Sequence, residues 1–166
     1  MTLPVAEAPS RRAFLSLGSN LGDRLSHLRR AVDQLRAGST PMVTAVSRVY
    51  ETDPVGGPED QGAFLNLVIE LAVPLDVDPY RVLQQCHRLE AAAGRVRTVR
   101  WGPRSLDADV VWIDGVTLDD RDLTIPHPRW RERRFVLAPL AELAPDLVDD
   151  DDLARAGGDV RVVGSV

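Results

Sequence analysis

The chain contains no lysine: all 20 basic residues among its 166 are arginine. A Walker-type phosphate loop and Schiff-base chemistry both need lysine, so any phosphate must be held by arginine, metal or backbone. A single cysteine, Cys86, excludes an internal disulfide framework and favours a cytosolic setting. It falls on the apolar stripe of a predicted helix, where a small core residue is expected. No stretch approaches the roughly 20 apolar residues that span a bilayer, and residues 1–10 lack a long apolar region, so a soluble, unexported, cytoplasmic protein is expected. The net charge of −5 and an aromatic content of only 5% argue against a surface built for nucleic acid or acidic membranes.

A hydrophobic content of 44% with 27% charged residues is ordinary for a soluble globular chain, and 166 residues suit one domain with its own core. Residues 12–18 read as a strand, and Leu25, Leu28, Val32 and Leu35 recur at helical spacing until Gly38. Residues 42–51 read as a second strand, 52–62 as a loop rich in glycine and proline, and 64–73 as a third strand. There Leu65, Leu67, Ile69 and Leu71 share the core face, and Phe64, Asn66, Val68 and Glu70 share the other. Asp78-Pro79 caps a second helix, along which Val82, Cys86, Leu89 and Ala93 form the apolar stripe.

A fourth strand carries Asp107 and Asp109 and stops at Asp114-Gly115. The order predicts an α+β fold: a ferredoxin-like βαββαβ sandwich, with helices on one face of an antiparallel sheet and C-terminal additions. The opposite face is left for Phe64, Asn66, Asp107 and Asp109. The expected division is a flexible extension over 1–11, a single domain over 12–147 and a partly ordered tail over 148–166, with the acidic run 149–152 solvated. Residues 126–128 make a stiff turn around His127, and Phe135 to Leu143 reads as a short packed helix.

Arg95, Arg97, Arg100 and Arg104 place four guanidinium groups within ten residues, interleaved with Trp101, Gly102 and Pro103. Arginine grips phosphate bidentately and stacks on flat rings. The loop leads into a D-x-D strand whose two carboxylates share a face roughly 7 Å apart, a pattern suited to a hard divalent cation. Together they point to a magnesium-bound polyphosphate. Glu90 either accepts from a ribose hydroxyl or pins an arginine, and Asn66 either reads a heterocycle edge or is a satisfied structural amide. His127 is held in place by its prolines, with function and a plain turn role both open.

Leu17-Gly18-Ser19-Asn20-Leu21, Tyr50-Glu51-Thr52 with Pro54, Asp60-Gln61 with Phe64-Leu65-Asn66, Gly94-Arg95 through Asp109, and Pro126-His127-Pro128 with Arg133 and Phe135-Val136-Leu137 follow one another at suitable gaps. In these motifs the chain resembles the 6-hydroxymethyl-7,8-dihydropterin pyrophosphokinase family of folate biosynthesis. The resemblance implies transfer of pyrophosphate from ATP to the pterin hydroxymethyl group, with AMP leaving and two magnesium ions on Asp107 and Asp109. It implies that Arg95 and Arg104 assist catalysis, and that His87, Glu90, Arg97, Arg100, Trp101, Val110, Thr124, His127 and Arg133 surround ATP. Thr52, Pro54, Val55, Phe64, Asn66, Trp101 and Phe135 would line the pterin pocket. The partners implied are these two small molecules, with no nucleic acid, no membrane and a monomeric chain. Arg134 and His87 depart from the family pattern.

Two rival readings remain at this level. Ferredoxin-like sheets also carry paired aspartates in nucleotidyltransferases and cyclases of the palm type. An RNA-binding module would need aromatic stacking positions on a basic sheet, which an acidic chain poor in aromatics does not offer.

Overall fold

The structure, a computed structural model, describes residues 8–96 and 100–166. It opens with strand β1 (Ser10–Ser19) and helix α1 (Arg24–Ala37). The helix starts where Asp23 accepts from the Ser26 N–H at 3.1 Å, and stops at Gly38, whose N–H returns to the Leu35 carbonyl. Strands β2 (Met42–Val46), β3 (Val49–Thr52) and β4 (Phe64–Pro74) follow, then helix α2 (Pro79–Ala92). Asp78 caps α2 by accepting from Tyr80 N–H at 2.9 Å. Next come β5 (Asp107–Ile113), the short strands β6 (Leu118–Asp119) and β7 (Thr124–Ile125), helices α3 (Arg134–Leu143) and α4 (Asp150–Arg155), and β8 (Val160–Gly164). Among the described residues no helix is long and apolar enough to cross a membrane.

The main sheet has the order β5-β1-β4-β3-β8, with β2 also on β4 and every pairing antiparallel. The strand expected over 42–51 is interrupted at Ser47-Arg48. Ser47 replaces part of the ladder with its side chain: its hydroxyl accepts from Val68 N–H at 2.9 Å while its own N–H donates to the Val68 carbonyl at 2.9 Å. The chain therefore stays on β4 but changes register before β3 begins.

Alternation along the strands creates two cores. Leu15, Leu17, Leu67, Ile69, Leu71, Leu106, Ala108 and Val110 face α1 and α2, meeting Leu28, Val32, Leu35, Val82, Cys86 and Leu89. Full burial of each large aliphatic side chain contributes about 1.5–3 kcal/mol, and most of this set is wholly inaccessible. On the other face, Phe14, Val68 and Val111 meet Trp130 and Val136, Leu137 and Leu140 of α3. That face is therefore only half free, because α3 covers one end. A bulge opposite Phe14/Leu15 sends both Val111 and Trp112 toward α3.

The C-terminal residues continue the sheet. β8 pairs along β3, from Thr52↔Val160 to Val49↔Gly164. The acidic run is mostly exposed, as expected, and also starts α4: Asp149 accepts from Asp152 N–H at 2.7 Å, and Asp152 pairs with Arg131 at 2.5 Å. Carboxylates at a helix start meet its free N–H groups, which offsets their mutual repulsion.

Candidate active site

Asp107 and Asp109 emerge on the open end of the sheet, beside Gly18 and Ser16 of β1. Asp107 accepts from Arg95 Nη1 at 2.7 Å on one oxygen and from Arg104 Nη1 at 2.9 Å on the other. Glu90, buried on the last turn of α2, also pairs with Arg95 and accepts from Ala108 N–H at 3.0 Å. Its carboxylate thus pins an arginine and anchors the start of β5.

Asp109 keeps some solvent exposure yet is densely enclosed. Burial, reinforced by the charge of Asp107 and opposed by that of Arg133, pushes its carboxyl up to about 7. Two carboxylates crowded in a poorly solvated site favour a bound divalent cation, which relieves both desolvation and repulsion. Among the described residues no group of three or more His, Cys, Asp and Glu side chains forms a metal cage. Two carboxylates with the other positions left to water or phosphate oxygens are the donor set magnesium commonly accepts. The residues therefore fit the ion.

The arginine loop is stitched to its neighbours by two amides that carry no expected ligand role. Asn20 Oδ1 accepts from Arg104 N–H at 2.8 Å, and Asn20 N–H donates to the Arg104 carbonyl at 3.1 Å. Asn20 Nδ2 donates to Gln61 Oε1 and the Gly62 carbonyl at 3.2 and 3.1 Å. Gln61 Nε2 in turn donates to the carbonyls of Gly56 and Trp101 at 2.8 and 3.2 Å. A buried amide at a strand end, inside a Ser-Asn motif, is the sequence signal for this junction. Trp101 has φ 58 and lies against Gly56 and Gly57. A Cβ on Gly57 would sit 2.4 Å from the Trp101 carbonyl oxygen, so that close approach requires glycine.

Phe64, Asn66 and Thr52 gather at the open end of β3 and β4. Asn66 Nδ2 donates to Thr52 Oγ1 at 2.9 Å. The Asn66 side-chain oxygen Oδ1 occupies the space above Gly18, where a Cβ would fall 2.8 Å away. Arg104 lies 6.0 Å from the Phe64 ring centre, and Arg133 lies 5.7 Å from that of Phe135. Pro54 is half-buried, and Val55 is exposed on the loop before β4.

The remaining expected residues are more dispersed. His127 N–H donates to the Val111 carbonyl at 2.9 Å and its Nδ1 accepts from Arg129 N–H at 3.1 Å, which fixes the ring beside β5. Burial, then the charge of Arg133, holds its pKa below the usual histidine value. Burial also lowers that of Arg133, against the pull of Asp109. Thr124 lies on β7, paired with Asp119. His87 is exposed one helical turn before Glu90, and Arg100 is exposed with its guanidinium 5.0 Å from the Trp101 ring centre. Val110 points into the helix-side core. Arg97 lies outside the described residues. Cys86 is fully buried, as expected of a core thiol, and burial raises its pKa well above the usual value.

The chain is similar to known proteins. The sequence model of the family described as 7,8-dihydro-6-hydroxymethylpterin-pyrophosphokinase matches residues 14–145. The 2-amino-4-hydroxy-6-hydroxymethyldihydropteridine pyrophosphokinase of Bacillus subtilis is 47% identical over 131 residues, covering 79% of this chain and 77% of that protein. The protein of the same name from Methylorubrum extorquens is 46% identical over 144 residues, covering 87% and 89% respectively. Among solved structures, the wild-type Plasmodium falciparum HPPK-DHPS with pterin and p-hydroxybenzoate matches at a TM-score of 0.59 and 15% identity. That match covers 84% of this chain but only 40% of the Plasmodium chain, and it speaks for the fold alone. With the family model spanning most of the chain and relatives near half identical along it, this chain belongs to the 7,8-dihydro-6-hydroxymethylpterin-pyrophosphokinase family.

Proposed function

We propose that the open end of the sheet binds ATP and 6-hydroxymethyl-7,8-dihydropterin side by side, and transfers the terminal diphosphate of ATP to the pterin in folate synthesis. The observation that carries this reading is the Glu90–Arg95–Asp107–Arg104 chain of ion pairs, set next to Asp109 and within reach of the Phe64–Asn66–Thr52 corner. The finer description of the sheet as ferredoxin-like belongs to the same reading, supported by the order β5-β1-β4-β3 with α1 and α2 on one face.

Asp107 and Asp109 would hold magnesium, two ions in the full reading. Bound there, the metal would lower the charge of the triphosphate and favour in-line attack at phosphorus. The hydroxymethyl oxygen bonds to the β-phosphorus, the bond from that phosphorus to the oxygen bridging to the α-phosphorus breaks, AMP leaves, and the hydroxyl proton passes to water. Phosphoryl chemistry of this kind needs position and electrostatics more than a dedicated base. Arg95 and Arg104 supply the cations, exchanging Asp107 for phosphate oxygens as the nucleotide enters.

Phe64 and Phe135 offer ring faces to the flat pterin, Asn66 and Thr52 offer donors and acceptors to its edge, and Pro54 and Val55 form the outer wall. Trp101 covers both substrates and restricts water, the competing nucleophile. Around ATP stand His87, Glu90, Arg97, Arg100, Thr124, His127, Arg133 and the Val110 backbone. A monomeric, cytoplasmic enzyme completes the reading. The experiment that tests it is a product assay with and without magnesium: metal-dependent AMP and a diphosphorylated pterin are expected, and ADP as the nucleotide product would overturn it.

A further inference from the structure

We infer that residues 148–166 form a brace that positions both walls of the pterin pocket, and that Arg134 is the pin fastening it. The segment lies beyond the stretch matched by the family, which ends at residue 145. Yet it touches the pocket's frame on two sides.

On one side, β8 is the outer strand against β3, with Val160 opposite Thr52 and Arg161 opposite Glu51. Arg161 also pairs with the Glu51 carboxylate. Glu51 holds Arg24 at 2.9 Å on its other oxygen, and Arg24 donates to the Ala63 carbonyl at 2.8 Å. The C-terminal strand is thereby coupled to the residue preceding Phe64 as well as to Thr52, which holds the Asn66 amide. Without β8, β3 would be a four-residue edge strand with one row of backbone groups unpaired.

On the other side, the chain around Gly157 docks on residues 132–134. Gly157 N–H donates to the Glu132 carbonyl at 3.2 Å, and Arg134 N–H donates to the Gly157 carbonyl at 3.3 Å. The Arg134 guanidinium wraps the same segment. Its Nε and Nη2 donate to the Leu153 carbonyl at 3.2 and 3.0 Å, and its Nη1 donates to the Gly158 carbonyl at 2.9 Å. Arg134 directly precedes Phe135, so the pin fixes the backbone that aims this ring. The inference rests on the assignment of the pocket to the pterin.

The test compares full-length wild type, Arg134→Met and Arg134→Lys. Because guanidinium bonds to carbonyls are charge-assisted, Arg134→Met is expected to raise KM for 6-hydroxymethyl-7,8-dihydropterin about tenfold, with KM for ATP changing less than about threefold. Arg134→Lys, which keeps the charge and one donor group, recovers part of the loss. Equal KM changes for both substrates, or no change for the pterin, would overturn the positioning role. Hydrogen exchange supplies a readout that needs no substrate: in Arg134→Met, protection is expected to fall in β3 and at residues 133–136 and to persist in β1 and β5. Unaltered protection in β3 overturns the brace whatever the substrate is. Locally lost protection, in a protein whose wild type makes no AMP from the pterin, supports the brace and sinks the substrate assignment instead.

Discussion

Arg104 reaches Asp107 at 2.9 Å, on the carboxylate oxygen that Arg95 leaves free. A carboxylate paired on both oxygens by guanidinium groups is neutralised without metal, and under the proposed function the same arginines would turn to the phosphates. Removing either arginine is therefore expected to act in two directions. Arg95→Ala or Arg104→Ala should lower turnover by roughly two orders of magnitude, the scale for losing one electrostatic contact to a transition state. The same change should tighten Mn²⁺ binding to the nucleotide-free protein, read by electron paramagnetic resonance. Unchanged turnover with either variant would contradict the exchange of Asp107 for phosphate.

Asp109 carries an electrostatic cost in the folded protein. Its pKa in the folded protein stands near 7, above the unfolded value of about 3.9. A carboxyl raised on folding stabilises the fold only while protonated, and that contribution fades as pH rises through the folded value. Asp109→Asn is therefore expected to raise the melting temperature of the metal-free protein at pH about 8 and to leave it little changed at pH about 4. Turnover should fall by orders of magnitude in the same variant. A lower melting temperature at the higher pH would show that the carboxylate is well compensated without metal.

Arg12 sets the acid limb of stability. Asp146 is held below the usual carboxylate value by its hydrogen bond from Arg12 at 2.7 Å. For Asp114, burial pushes upward, but hydrogen bonds from Arg12 and from Trp112 Nε1 prevail and lower its pKa. A depressed folded pKa contributes stability above the unfolded value of about 4, and that contribution is lost as pH falls through the folded one. Arg12→Met should lower the urea midpoint at neutral pH and converge with wild type toward pH about 2. A constant difference across that range would assign the loss instead to packing on Phe14, whose ring centre lies 5.5 Å from the Arg12 guanidinium.

Asn20 joins three loops through one buried amide. Asn20→Ala leaves Arg104 N–H and the Gly62 carbonyl without these partners, and is expected to cost about 1–3 kcal/mol of stability. Because Trp101 and Gln61 belong to the same junction, both KM values should rise with it, unlike the pterin-weighted effect of Arg134→Met. Wild-type KM values in a destabilised Asn20→Ala would confine its role to the fold.

The helices, the core faces of the strands and the D-x-D strand can be read from apolar period and capping residues alone, because each depends on contacts the local pattern dictates. The break at Ser47 cannot, since it arises from a side chain that meets Val68 only after β4 is in place. α3 has an apolar face visible in the sequence, but nothing local says that it closes half of the sheet's second face. Charge runs carry less information: the aspartates 149–152 look solvated, and three of them are, but the helix start they form and the Arg131 partner of Asp152 are not visible in the run. Within the candidate site, the residue types of Asp107, Asp109 and the arginines are what the sequence offers for the proposed chemistry. The function of Asn20 and Gln61 lies in which backbone groups they meet, and that is a property of the assembled loops.

The most direct measurement follows the β-phosphate. ATP labelled at that position is incubated with the purified protein, magnesium and 6-hydroxymethyl-7,8-dihydropterin, and the products are separated. The expected result is label in the pterin, with unlabelled AMP formed in equal amount and neither product formed without metal. Label retained in ADP, or released as inorganic diphosphate with the pterin unmodified, would contradict the account.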